Sequence, residues 1–211
     1  YEPPSHIMTF TADISCSVLQ KVFSSTHSGK HGILGMWVFL AGDAVVFLIL
    51  LLCYALMRYS IADWPESSAI LDIAPALAMT SILLGSSAAA TKALGAIRAG
   101  HPGTMRKYLA LVVLGGILFL GFQAYEWGHL EDLGVMPDSN PYGAPQFGGL
   151  FYIITGFHGI HVLAGVVYLI VILSLPRRFA AQNHDGIKMA GLYWHFVDLF
   201  WVLIVSIIYI L

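Results

Sequence analysis

Charged residues are scarce in this chain. Of its 211 residues, 10% are charged and 58% are hydrophobic, whereas a soluble domain carries roughly 25% charged residues. The formal net charge of −2 is too small to indicate a nucleic-acid partner. The composition therefore excludes an ordinary soluble domain and indicates an integral membrane protein.

Cysteine is almost absent as well. The two cysteines, Cys16 and Cys53, fall in a polar segment and in an apolar run respectively. Because a disulfide needs two closely placed side chains, these positions do not predict one. Apolar packing and buried polar contacts must therefore hold the fold together.

Long apolar runs, by contrast, are abundant. A transmembrane helix needs about 20 mostly apolar residues, and five segments qualify: 33–58, 73–98, 108–128, 148–174 and 189–211. Residues 1–30 are polar and predict a tail, which leaves residues 31–211 as the membrane domain. The longest loop, at 129–147, contains Pro, Gly and Asn residues that prevent a continuous helix. We predict an all-α, polytopic membrane protein with five transmembrane helices.

The basic residues predict the orientation of these helices. Nine of the ten Lys and Arg residues fall on one side of a five-span arrangement, and Arg58 falls on the other side. Basic residues accumulate on the cytoplasmic side of membrane proteins. We therefore expect a cytoplasmic tail and a C-terminus, Leu211, on the periplasmic or outer side.

Carboxyl and imidazole side chains fall inside the predicted spans, where a charge that faces lipid costs at least about 2.5 kcal/mol. They are Asp43, Glu126, His158, His161, His195 and Asp198. Residues three apart share a helix face, and the rise is about 1.5 Å per residue. On that count His158 comes level with Asp198 and His161 with His195, so we expect a buried polar network.

Three interpretations of these residues are open. Histidine and carboxylate can bind iron, copper or zinc, but a di-iron bundle needs two Glu-x-x-His pairs, which the chain does not supply. Asp43 could belong to a proton path, although the sequence shows no continuous relay. We favour the third interpretation, in which buried hydrogen bonds join the helices, since each contributes on the order of 1 kcal/mol.

Small residues recur on the second predicted span. Ser81, Gly85 and Ala89 are spaced four residues apart and share one face. Such a face lets another helix approach closely. It predicts either a docking surface for another subunit or, as we favour, packing within this chain.

Three motifs on three predicted helices resemble the signatures of subunit III of haem-copper terminal oxidases. They are FQAYEW at 122–127, TGFHGIHVLAG at 155–165 and YWHFVDLFWV at 193–202. The segment GMWVFLAGDAVVF, at 35–47, is similar to the first helix that members of this family share. The resemblance covers about residues 30 to 211, and the five spans resemble the short bacterial form.

The resemblance implies an accessory, non-redox subunit of a respiratory complex that reduces oxygen to water and pumps protons. It implies no catalytic residue, haem or copper on this chain, because haem and copper belong to partner subunits. The chain would pack on subunit I, beside subunit II and a small subunit IV, in the bacterial cytoplasmic membrane. It would bind phospholipid in a cleft between its first two spans and the rest, and support proton uptake and stability during turnover.

The electron donor is open at this stage. Gly42-Asp43 resembles the quinol oxidase branch, whereas QAYEW resembles the cytochrome c oxidase branch, which we slightly favour. Two alternatives remain besides an oxidase subunit. One is a subunit III-like protein that accompanies a nitric oxide reductase, and the other is an independent transporter or channel lined by Asp43.

Overall fold

A computed structural model describes residues 28–174 and 184–210. Most of the predicted tail, residues 1–27, lies outside the described residues, as does the connection at 175–183. By their internal contacts, residues 1–37 and 38–211 form two compact units. The described part of the first unit is the beginning of the first helix, and the second unit holds the bundle described below.

The described residues form helices and no strand. The helices are α1 (Ser28–Ser60), α2 (Ser67–Ile70), α3 (Ile73–Arg98), α4 (Pro102–Asp132), α5 (Gln146–Ser174) and α6 (Asp185–Ile204), followed by a π-helical segment, Val205–Ile210. Five segments are long and apolar enough to cross a membrane: Gly32–Ser60, Ile73–Arg98, Pro102–Asp132, Gln146–Ser174 and Asp185–Ile210. The prediction of an all-α chain with five such helices is confirmed.

Glycine ends both α3 and α4. Gly100 and Gly134 have φ angles of 77° and 80°, in the left-handed region that glycine adopts without strain. The amide of His101 donates to the Ala96 carbonyl at 2.9 Å, and that of Val135 donates to the Leu130 carbonyl at 2.9 Å. This is the Schellman arrangement, which satisfies carbonyls left over at a helix end. The first of these ends turns the chain directly into α4.

The helices α3, α4, α5 and α6 form a four-helix bundle. Each packs on the next, and α6 returns to pack on α3. The expected cleft between the first two spans and the rest is therefore wrong for this chain, since the second span, α3, belongs to the bundle. The helix that stands apart within residues 38–211 is α1 alone.

Small residues bring the bundle helices close together. A Cβ atom added to Gly115 would lie 2.8 Å from Cβ of Ser86, which is closer than real side chains approach. A Cβ atom on Gly116 would overlap Val166 and the Trp194 ring, and one on Gly165 would lie 3.0 Å from the same ring. The Trp194 indole nitrogen donates to Ser86 Oγ at 2.9 Å. One indole therefore joins all four helices of the bundle.

The helix α1 contacts the bundle through a stripe of large side chains. Leu40, Phe47, Leu51 and Tyr54 are buried at the three- and four-residue spacing of one helix face. The Phe47 ring stacks on Phe200 with centroids 4.6 Å apart. Because bulky side chains rather than glycines make this contact, the α1 backbone stays away from the bundle backbones.

We predict that Gly116→Ala destabilises the chain by about 1–3 kcal/mol, because the added methyl group overpacks the Trp194 contact. Gly121→Ala is the matched control, since Gly121 lies on the same helix and a Cβ there meets nothing within 4 Å. Thermal unfolding in mild detergent measures both variants. Equal midpoints for the two would contradict the close-packing role of Gly116.

Candidate functional site

Asp43 and His161 form a buried pair between α1 and α5. Nε2 of His161 lies 3.0 Å from Oδ2 of Asp43, and the two side chains are 11% and 10% exposed. The contact has the length of a hydrogen bond but not the alignment of one. It is a polar contact of α1 with α5.

The imidazole of His161 is also held from its other side. Nδ1 of His161 lies 2.7 Å from the Phe157 carbonyl oxygen, and a carbonyl only accepts, so Nδ1 carries a hydrogen. Nε2 is then the ring nitrogen that faces the Asp43 carboxyl group.

Aromatic side chains pack against the imidazole of the pair. The His161 ring contacts Phe157 and Phe47, with centroids 4.6 Å and 5.3 Å away. The Tyr193 hydroxyl donates to the backbone carbonyl of His161 at 2.9 Å. These contacts fix the position of the imidazole from α1, α5 and α6.

His158 differs from His161 although it lies only three residues before it. It is fully buried, and neither ring nitrogen has a hydrogen-bond partner in the described part of the chain. Its ring stacks on Trp201, with centroids 5.2 Å apart and planes at 29°, and meets Phe119 edge-on at 5.4 Å. His158 is therefore packed as an aromatic side chain.

His195 lies on the outside of the bundle, where α6 meets α3. Its Nδ1 is 2.5 Å from Ser87 Oγ, and its Nε2 is 3.4 Å from Thr91 Oγ1. Asp198 follows one turn later and is 4% exposed. Neither carboxylate oxygen of Asp198 makes a hydrogen bond to a described residue, although Ser87 lies close to it.

Glu126 lies in α4 and is buried. The Tyr209 hydroxyl, in the π-helical segment, donates to its Oε2 at 2.8 Å. Glu126 also begins a Glu-x-x-His segment, but His129 at its end is exposed. The Glu126 contact therefore joins the end of the last span to α4.

The six predicted residues do not form one network. His161 lies against Asp43 on α1 and not against His195, with which the sequence places it level. His195 instead contacts Ser87 and Thr91 on α3. The direction in which each side chain points therefore decides which helix it contacts.

The three small residues predicted on one face of α3 differ in their exposure. Ala89 is buried within the chain, whereas Ser81 and Gly85 are exposed, and a Cβ on Gly85 meets nothing within 4 Å. The close approach within the chain uses Ser86, on another face of α3. The adjacent Gly115 and Gly116 in the sequence were a signal of this contact.

Three tryptophan and glutamine contacts were missed from the sequence. The Trp201 indole donates to Thr80 Oγ1 at 3.0 Å, and the Trp127 indole donates to Thr155 Oγ1 at 3.2 Å. The Gln123 amide donates to the Thr155 carbonyl at 2.6 Å. The signal was the presence of indole, hydroxyl and amide side chains inside apolar helices, where each needs a hydrogen-bond partner.

The motifs FQAYEW and TGFHG interlock across α4 and α5. A Cβ on Gly159 would lie 2.7 Å from Oε1 of Gln123, and one on Gly156 would lie 3.2 Å from the Trp127 ring. The glycines therefore make room for the large polar side chains of the other motif. This mutual fit gives a physical reason for the two motifs to occur together.

A metal needs several ligands at one place. Among residues 28–174 and 184–210, no three His, Cys, Asp or Glu side chains come together as candidate ligands.

The chain matches the family model of cytochrome c oxidase subunit III over residues 8–211. It is 32% identical over 189 residues to cytochrome c oxidase subunit 3 of Alkalihalophilus pseudofirmus, covering 89% of this chain and 90% of that protein. It is 31% identical over 205 residues to the protein of that name from Bacillus subtilis, covering 96% and 95%. It is also 28% identical over 211 residues to cytochrome bo(3) ubiquinol oxidase subunit 3 of Pseudomonas aeruginosa, covering 94% and 99%.

We predict that His161→Phe and His158→Phe differ in their effect on stability. His161→Phe leaves the Asp43 carboxyl group buried without its partner, which costs about 1–3 kcal/mol. His158→Phe keeps the ring stack on Trp201 and removes no hydrogen bond to a described residue, so its free energy of unfolding changes little. Chemical unfolding in detergent compares the two variants, and a larger loss for His158→Phe would contradict these roles.

Proposed function

Because the chain belongs to the cytochrome c oxidase subunit III family, we propose that it is the accessory, non-redox subunit of a respiratory haem-copper oxidase. The complex reduces oxygen to water, couples this reaction to proton pumping and lies in the bacterial cytoplasmic membrane. Haem and copper belong to the partner subunits, among them subunit I, subunit II and a small subunit IV. This chain supplies no catalytic residue.

The observation that carries the proposal is the pairing of Asp43 with His161. The carboxyl group and the imidazole lie 3.0 Å apart, and the rings of Phe47 and Phe157 pack against the imidazole. Such a contact attaches α1 to α5. It supports a structural role for Asp43 over a conduit for protons or solutes through this chain.

Support for proton uptake is the second part of the proposed role. The chain would keep its main partner, subunit I, able to take up protons from the cytoplasmic side. On the proposed orientation, that side carries Lys92 and Arg98 at the end of α3 and Arg106 and Lys107 at the beginning of α4. The tail would be cytoplasmic and the C-terminus periplasmic, by the preference of basic residues for the cytoplasm.

Phospholipid is the proposed small-molecule ligand. An apolar groove between α4 and α5 offers surface for an acyl chain. It is lined by Leu120, Gln123, Ala124, Trp127, Gly156, Gly159, Ile160 and Leu163. The exposed Ser81 and Gly85 on α3 are proposed to face another subunit instead.

Cytochrome c is the proposed electron donor of the complex. The motif QAYEW supports it, whereas the Asp43 position is the feature that resembles quinol oxidases. Oxidation of reduced cytochrome c by the purified complex tests this choice. Oxidation of a quinol alone would reverse it.

We expect an oxidase depleted of this chain to keep its initial oxygen-consumption rate within a few-fold at low pH. Its rate should fall more steeply as pH rises, and it should inactivate sooner during turnover, because proton uptake is less well supported. Oxygen consumption against pH and time, with and without the chain, measures both effects. An immediate, pH-independent loss of all activity would contradict an accessory role.

We also expect the chain to co-purify with haem in mild detergent while holding no stoichiometric haem, iron or copper once isolated. The optical spectrum of the complex and elemental analysis of the isolated chain test the two halves. Solute or proton flux through liposomes that contain this chain alone would favour the transporter alternative. Co-purification with a nitric oxide reductase would favour the other alternative, a subunit III-like protein that accompanies that enzyme.

A further inference from the structure

The groove between α4 and α5 contains a polar group that the described part of the chain leaves unsatisfied. Gln123 lines the groove and is 5% exposed, and its Oε1 makes no hydrogen bond to a described residue. Its Nε2 donates to the Thr155 carbonyl at 2.6 Å. Because a carbonyl only accepts, this contact fixes which end of the amide is the nitrogen. The unsatisfied group is therefore an acceptor.

The other side chains of the groove offer no donor to this acceptor. The Trp127 indole already donates to Thr155 Oγ1 at 3.2 Å. The remaining lining residues are leucine, alanine, isoleucine and glycine. A buried acceptor without a partner costs about 1–3 kcal/mol. The groove therefore suits a molecule that brings its own donor.

Gln123 lies below the level of lipid headgroups. The end of α4 exposes Glu131 and Asp132, and charged side chains avoid the hydrocarbon region of a membrane. Gln123 precedes Glu131 by eight residues, which is about 12 Å of helix. Phosphate and glycerol groups lie outside the hydrocarbon region, and acyl chains carry no donor. A phospholipid would therefore fill the groove without satisfying Gln123.

The size and the walls of the groove suit a single substituted ring. Its volume is about 230 Å³, whereas an apolar cavity of about 150 Å³ in another protein binds benzene. A transmembrane helix is about 10 Å wide and would lie over the groove rather than in it. Two planar groups, the Gln123 amide and the Trp127 indole, lie against Gly159 and Gly156 respectively. Aromatic rings pack well on planar groups of this kind.

We propose that the groove between α4 and α5 binds a hydroxylated aromatic ring on an apolar tail, as in a membrane hydroquinone, whose hydroxyl donates to Oε1 of Gln123. The ring lies beside Trp127, and the tail follows the apolar surface of α4 and α5. Such a molecule brings a donor into the hydrocarbon region, which a phospholipid does not.

This assignment deepens the lipid-binding part of the proposed function and rests on it in placing the chain in a respiratory membrane. It concerns binding alone. It therefore holds whether cytochrome c or a quinol is the electron donor of the complex.

Photolabelling of the purified oxidase in lipid nanodiscs tests the proposal. The probes are an alkyl hydroquinone with a diazirine on its tail and the benzoquinone with the same ring and tail, which has no donor. The hydroquinone should label peptides of α4 or α5 of this chain. It should bind about fivefold more tightly than the benzoquinone, because one hydrogen bond contributes about 1 kcal/mol and about 1.4 kcal/mol is tenfold. Equal affinities, or labelling of α4 and α5 by a diazirine-tailed phospholipid but by neither ring probe, would overturn it.

Two variants and a control locate the binding in the groove. Ala124→Phe fills the groove from an exposed position and should abolish the labelling, whereas Ala110→Phe, at an exposed position of the same helix outside the groove, should leave it unchanged. Gln123→Leu removes the acceptor and should lower the affinity for the hydroquinone to that for the benzoquinone.

Labelling that persists in Ala124→Phe would overturn the proposal, and this variant decides the matter if Gln123→Leu does not fold. A haem-containing complex whose copy of this chain takes up no label would refute the binding site alone. A chain that co-purifies with no haem would refute the proposed function instead, which separates the two failures.

Discussion

The contact of the Trp194 indole with the other three bundle helices is the interaction on which the rest of the structure depends. The ring occupies space left open by Gly116 on α4 and Gly165 on α5, and it donates to Ser86 on α3. In a bilayer, helix association depends on close packing and interhelical hydrogen bonds, because lipid is as apolar as the side chains. One side chain supplies both here, and it sets how closely four helices approach.

The packing of the helices determines which partners the polar side chains of the spans meet. Once the bundle is formed, Asp43 and Glu126 each meet a single partner on another helix, His161 and Tyr209. His158 is enclosed by rings instead. Two of the ionisable groups therefore join helices in pairs, and His158 contributes by packing alone.

Much of the fold was predictable from the sequence, because five helices follow from apolar length and composition alone. The six polar positions within the spans were also recognisable, since polar groups stand out in apolar runs. Their partners were not, because depth can be counted along a helix but rotation about its axis cannot. His161 and His195 therefore came level yet point to different helices. The separation of α1 from the four-helix bundle could not be predicted either. It depends on bulky residues such as Phe47, which look like any apolar core residue in the sequence.

The distance along the chain between Asp43 and His161 has a consequence for biosynthesis. About 120 residues separate them, and ribosomes add roughly 5–20 residues per second. The carboxyl group of the first span thus waits on the order of ten seconds in the membrane before its imidazole partner is translated. Attachment of α1 is for this reason a late step of biogenesis, and a chain interrupted before α5 displays an unmatched acid to the machinery that inserts and inspects membrane proteins.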